Sequence, residues 1–335
     1  MGKVAQNGSQ IVAELPRACS DELAAVEFLE RQRWGDSPAC PRCGATDVYA
    51  VQGRDGKRNK RFLWVCRDCG EQYTVRIGTV FEDSRIPLRH WCYAFWAACA
   101  SKKGVSALQI QRQTRLSYKS ALFLMHRIRF AMTPNRSPRL DGTVEVDETY
   151  VGGKPRNPSI QAIRAMSYEE RKPWRQERER AKGRGTKKPP VVALVERGGN
   201  VRAHVVTDVS GTTLKRAIRE NVRSSAAIHT DELSSYHGIG RHFAGGHHTV
   251  RHSVREYARG DVHVNTAESF FALLKRGLIG TFHAVSRQHL HRYVNEFAFR
   301  WNHRKVDDGA RTVAAIRGAE GKRLYYRDPR RGAKK

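Results

Sequence analysis

The sequence contains no run of about 18 apolar residues, which excludes a membrane-spanning helix. Its first residues, MGKVAQNGSQIVAELPRACS, lack the apolar core of a signal peptide, so secretion is not expected. Cysteine is sparse. Seven cysteines, an odd count, do not make a secreted disulfide framework; they fit a reducing cytoplasm in which some thiolates hold a metal. Acidic residues are scarce too: 33 Asp and Glu stand against 61 Lys and Arg, for a net charge of +28. A chain of that charge associates with polyanions, and nucleic acid is the common one in cytosol. The expected place is therefore the cytoplasm, on the nucleoid. The apolar fraction of 39% over 335 residues is enough for real cores, in two or three domains.

The chain reads as five segments. An N-terminal tail and helix occupy 1–35. The tail is expected to stay flexible to about Ala18, and Ser20 to cap a helix whose Leu23, Val26 and Leu29 stripe stops at Trp34-Gly35. A small ribbon follows over 36–80. There CPRCG and CRDCG bracket short alternating strands, so Cys40, Cys43, Cys66 and Cys69 are expected to hold one structural Zn²⁺. Gly44 and Gly70 provide the positive φ of each knuckle. Residues 85–135 are helical. Trp91, Phe95 and Ala98 repeat at core spacing, with Cys92 and Cys99 as packed thiols. Helices at Ser106–Gln113 and Tyr118–Met132 outline a helix-turn-helix, with Tyr118, Lys119 and Arg127 available to DNA.

An α/β domain is expected over 140–305, a mixed sheet flanked by helices. It is interrupted at 154–190, where twelve Lys and Arg, four Glu and five Pro read as a solvated arm that grips phosphates. A basic tail over 306–335 closes the chain. Three acids stand at element ends in the α/β domain. Asp147 closes the strand VEVD, Asp231 closes AIHTD, and Glu268 lies in the first turn of NTAESFFALLKRG. Asn265, Glu268, Ala272 and Lys275 share one face of that helix, opposite an apolar stripe. Three converging carboxylates repel unless cations neutralise them, and hard oxygen ligands suit Mg²⁺ or Mn²⁺. Two such ions clamp a phosphodiester for in-line displacement. Glu145 shares the pleat face of Asp147 and Glu148 does not. His229, on the face of Asp231, is placed to support it, and the histidines from His237 to His263 read as loop residues near phosphate.

The stretches RWGDSPACPRCG, IGTVFEDSRIPLRHW, VEVDETYVGGK, HTDELSSY, HVNTAESFFALLKRGLIGTFHAVS and YVNEFAFRWNHR resemble the bacterial insertion-sequence 1595 family of transposases, in order, over about residues 20–305. The resemblance implies a ribonuclease-H-like catalytic domain behind a zinc ribbon. It implies cutting and joining of double-stranded DNA, at the inverted repeats of the element and in a target. It assigns catalysis to Asp147, Asp231 and Glu268, offers Asn265 as neighbour or rival of Glu268, and gives Lys275 a phosphate or base near the cleaved bond. Chemistry on two ends calls for a homo-oligomer on DNA. Two other readings share these features: a non-transposing nuclease of the same fold, and a zinc-ribbon DNA-binding regulator.

Overall fold

The computed structural model describes residues 8–135, 138–153, 158–180, 186 and 188–326. They fall into two compact units, Met1–Ser137 with Asn302–Lys335, and Pro138–Trp301. The first unit opens with two helices, α1 (Gly8–Ser20) and α2 (Glu22–Trp34). The expected flexible start is thus helical from Gly8. Ile11, Leu15 and Ala18 fall on one helical face and are buried. Ser20 is not the cap of α2, because it ends α1 and its hydroxyl donates back to the carbonyls of Pro16 and Arg17. Asp21 takes the role, accepting from Ala24 N at 2.7 Å.

Three short antiparallel strands make the ribbon: β1 (Val48–Ala50), β2 (Trp64–Cys66) and β3 (Gln72–Tyr73). Helix α2 is bound to it through Glu30, which accepts from Arg58 at 2.7 and 2.9 Å and from Trp64 Nε1 at 2.8 Å. Helices α3 (Leu88–Ala100), α4 (Ala107–Thr114) and α5 (Tyr118–Ala131) follow. In α3, Trp91, Cys92, Phe95, Ala98 and Cys99 are all fully buried, and Phe81 packs edge-on against Trp91 with ring centroids 4.9 Å apart. Fully burying each large apolar side chain contributes roughly 1.5–3 kcal/mol. Ser106 and Ser117 cap α4 and α5 by accepting from Gln109 N and Ser120 N.

The second unit begins with β4 (Thr143–Tyr150). Two helices of the basic insertion come next, α6 (Ile160–Ala165) and α7 (Tyr168–Arg180). No residue of α6 is buried; positions 154–157, 181–185 and 187 of the insertion lie outside the described residues. The chain continues through β5 (Pro190–Glu196), β6 (Val201–Val205), α8 (Gly211–Asn221), β7 (Ala227–Thr230) and β8 (His247–Thr249). A small hairpin of β9 (Ala258–Arg259) and β10 (Val262–His263) leads into α9 (Asn265–Gly277), and α10 (Leu290–Asn302) closes the unit. The main sheet has the order β6-β5-β4-β7-β8. Strand β5 is antiparallel to both its neighbours, whereas β7 is parallel to β4 and β8.

Both faces of this sheet are covered, which is why PVVALV is a continuous apolar run rather than an alternating one. Val144, Val146, Val192 and Leu194 pack with Leu214 and Ile218 of α8. Val191, Ala193 and Val195 pack with Phe270 and Leu274 of α9 and Phe297 of α10. At the end of α9 the helix widens into a π-turn over Leu278–Phe282. Gly277 is required just before it, because a Cβ there would run into the ring of Phe297.

The chain then returns to the first unit. The segment expected as a basic tail contains a helix, α11 (Asp308–Arg317), capped by Asp307, which accepts from Ala310 N at 2.8 Å. Thr312, Val313, Ala315 and Ile316 are buried, and Arg311 donates to the Cys99 carbonyl of α3 at 3.0 Å. Aliphatic residues at helical spacing outweigh the local charge. Positions 327–335 lie outside the described residues.

Candidate metal centre and active site

Each CxxCG turn is closed by a backbone bond, Gly44 N to Cys40 O at 2.9 Å and Gly70 N to Cys66 O at 3.1 Å. Both glycines have positive φ, 78° and 70°. The turns bring the four thiols together, with all Sγ atoms within 4.8 Å of one another. Cys40 and Cys69 stand 3.7 Å apart and Cys43 and Cys66 3.6 Å apart. A tetrahedron with Zn–S bonds of about 2.3 Å has edges of roughly 3.8 Å, so the thiols already have the spacing of a closed zinc site. Cys40 and Cys66 are buried and Cys43 is exposed. Cys19, Cys92 and Cys99 lie outside the cluster.

In the helical hairpin the three residues expected at DNA separate into two kinds. Tyr118 and Lys119, in the first turn of α5, are exposed. Arg127 is not available: it is buried and donates to the carbonyls of Val80 at 3.1 Å and Glu82 at 2.9 Å. Two turns beyond Lys119, the same helix faces the core of its unit, and a guanidinium there serves packing.

Asp147 lies on β4, Asp231 just after β7, and Glu268 in the first turn of α9, a helix that packs on the main sheet. Asp147 does not end its strand as expected; β4 continues to Tyr150 because Glu148, Thr149 and Tyr150 pair with the start of β5. Strands β4 and β7 pair up to Glu145 and His229. Asp147 and Asp231 each lie two residues further on, Asp147 still within β4 and Asp231 just past the end of β7. Asp231 turns the chain after β7 by accepting from Leu233 N at 3.0 Å. Glu268 is exposed in the first turn of α9. Asn265, its first residue, and Lys275, two turns along, are exposed as well.

Asp147 responds to the charges around it. Burial, then the neighbouring Glu148 charge, then the charges of Asp231 and Glu268 raise its carboxyl to about 7, against the opposing hydrogen bond from Glu148 N. Among the described residues only the four cysteines close tightly enough around a single point to hold one ion.

Several supporting residues were not legible as such. Glu145 is fully buried beneath the site. Its Oε1 accepts from Arg197 Nε at 2.8 Å and Thr266 Oγ1 at 2.9 Å, and its Oε2 from Thr266 N at 2.7 Å and Ala267 N at 3.2 Å. His229 packs beside it; burial and the nearby Arg197 and His248 lower its pKa to about 4, so it is neutral. On the opposite face Glu148 accepts from Tyr236 Oη at 2.8 Å. The only sequence signal for these contacts was the shared pleat face of Glu145 and Asp147.

A ribbon with a four-thiol centre thus precedes an α/β unit built on a mixed five-stranded sheet. Comparisons with known proteins identify the family. Residues 139–302 match the family model described as an ISXO2-like transposase domain, and residues 20–72 match a transposase zinc-ribbon domain. The chain is also 31% identical over 284 residues, 83% of its own length and 90% of the relative's, to an uncharacterized protein in transposable element ISH50 of Halobacterium salinarum. The chain belongs to the ISXO2-like transposases of the insertion-sequence 1595 family.

Proposed function

We propose that this transposase binds the inverted repeats of its insertion sequence, hydrolyses a phosphodiester to free a 3′-hydroxyl, and joins that hydroxyl to target DNA. The observation that carries this reading is that the charges of Asp231 and Glu268, from distant segments, both act on Asp147 in a chain of net charge +28. An acid-poor protein gains nothing in solubility from gathering acids in one place. A ribonuclease-H-like reading of the domain is supported by its mixed five-stranded sheet, with helices on both faces.

Two Mg²⁺ or Mn²⁺ ions, held by Asp147, Asp231 and Glu268, would supply charge neutralisation and activate the attacking oxygen. The raised Asp147 carboxyl is the expected state of an acid among other acids before a cation arrives. Lys275, on the exposed side of α9, holds a phosphate near the cleaved bond. Arg251, Arg255 and Arg259, exposed between Asp231 and Glu268 in the chain, attract the backbone without reading sequence. Tyr118 and Lys119 contact element ends, and the four ribbon cysteines hold a structural Zn²⁺. Two ends call for a homo-oligomer on DNA. The test is cleavage of a labelled fragment carrying one element end, beside a binding assay: Asp147→Ala and Asp231→Ala should bind the end and fail to cut it.

A further inference from the structure

Helix α9 starts without a local cap. The residue before it, Val264, has no side-chain acceptor to offer the first-turn N–H groups, which must be satisfied from elsewhere. They are satisfied by Glu145, a residue 121 positions earlier in the chain. Its carboxylate takes the Thr266 N–H at 2.7 Å, the Ala267 N–H at 3.2 Å and the Thr266 hydroxyl at 2.9 Å. A negative charge at that end also meets the positive pole of the helix. Arg197 Nε donates to the same carboxylate at 2.8 Å, and His263 Nδ1 lies 3.1 Å from it.

The location of this contact is what matters. Asp147 is two residues along β4 from Glu145 and on the same pleat face. Glu268 is one residue beyond Ala267. The Glu145 carboxylate therefore links the strand of Asp147 to the helix turn that carries Glu268. We infer that Glu145 is a positioning residue that sets the spacing of Asp147 and Glu268 by capping α9 from the strand. The inference rests on the active-site reading above and assigns Glu145 no contact with metal or DNA.

Glu145→Gln tests it. Glutamine keeps the shape, but one oxygen becomes an N–H donor facing other donors. The helix start should shift without loss of the fold. Two quantities are read on the full chain: Mn²⁺ affinity of the DNA-free protein, from the free-ion electron paramagnetic resonance signal, and the rate of end cleavage. Mn²⁺ affinity should fall by on the order of 10-fold, as for other residues that orient ligands. Cleavage at saturating Mn²⁺ should fall by roughly 10²-fold, the cost of a displacement near 1 Å. End binding should be unchanged.

Leu214→Ala, which loosens the opposite face of the sheet, serves as the stability control and should keep parental Mn²⁺ affinity well below its melting point. Equal losses in Leu214→Ala and Glu145→Gln would overturn the positioning role. Parental cleavage and Mn²⁺ affinity in Glu145→Gln, beside an inactive Asp147→Ala, would overturn it too. Parental cleavage in Asp147→Ala would instead overturn the active-site reading. If Glu145→Gln does not fold, Thr266 decides. Thr266→Ser keeps both donors and should be parental, whereas Thr266→Val loses the hydroxyl and should be slower. Equal rates in the two variants would overturn the inference.

Discussion

Tyr236 donates its phenol to Glu148 Oε2 at 2.8 Å, on the sheet face opposite Asp147. Tyr236 is fully buried, and burial together with the Glu148 charge pushes its pKa well above the ordinary tyrosine value. The bond fixes the Glu148 carboxylate on that face, from which its charge still raises the Asp147 carboxyl. Glu148→Gln should therefore keep most cleavage activity, while Asp147→Asn should lose it. Tyr236→Phe should cost about 1.5–3 kcal/mol of stability, since the acceptor is charged. Urea unfolding of both variants and end cleavage check these outcomes. A Glu148→Gln variant as inactive as Asp147→Asn would make Glu148 a ligand in its own right.

The third acid can be ranked. Glu268 contributes its charge to the environment of Asp147. Asn265 is a neutral amide at the first position of α9. Glu268→Ala should abolish cleavage and joining in Mg²⁺ or Mn²⁺, and Asn265→Ala should be milder. Lys275→Ala should slow the reaction without weakening Mn²⁺ binding. An inactive Asn265→Ala beside a near-normal Glu268→Ala would reverse the ranking.

Much of this arrangement was readable from patterns with a local cause. The doubled CxxCG turn, the Ser117 cap and the apolar period of α3 each depend on neighbours a few residues away. What escaped depended on partners far off in the chain. Glu145 caps a helix 121 residues later, and strand alternation reveals its face but not that contact. Arg127 looks free because nothing in its helix reports that Val80 and Glu82 lie beneath it. Helix α11 was hidden by charge: its buried Val313, Ala315 and Ile316 sit within a basic stretch whose composition suggests a tail.

The hairpin of α4 and α5 separates affinity from stability. Tyr118→Ala and Lys119→Ala remove exposed side chains, so they should weaken end binding and leave unfolding curves unchanged. Arg127→Ala strands two carbonyls in the core and should cost about 1–3 kcal/mol. Fluorescence anisotropy with labelled end DNA, beside urea unfolding, distinguishes the two effects. Full affinity in both surface variants would remove this hairpin from the DNA interface.

The ribbon should depend on its metal. Cys66→Ser removes one of four ligands and should release the Zn²⁺ measured by elemental analysis. Residues of the ribbon should then lose amide protection, while the main sheet of the other unit keeps its own. Zinc content unaffected by this change would rule out the four-cysteine site.

Lys322 carries the last prediction. It is buried, and its ammonium donates to the carbonyls of Ala131, at 2.9 Å, and Thr133 at the end of α5. Burial lowers its pKa to about 8, from an ordinary value of 10.5. The folded value lies below the unfolded one. Between the two, the unfolded chain binds more protons, so stability rises with pH across that window. The contribution is complete above the unfolded pKa and is lost as pH falls through the folded one. Lys322→Met removes the titrating group and keeps much of the stem volume. Parent and variant melting midpoints, followed from pH 8 to about pH 10, should diverge in the parent's favour. Parallel curves would mean that the carbonyls of α5 offset the burial and that the lysine keeps its ordinary charge.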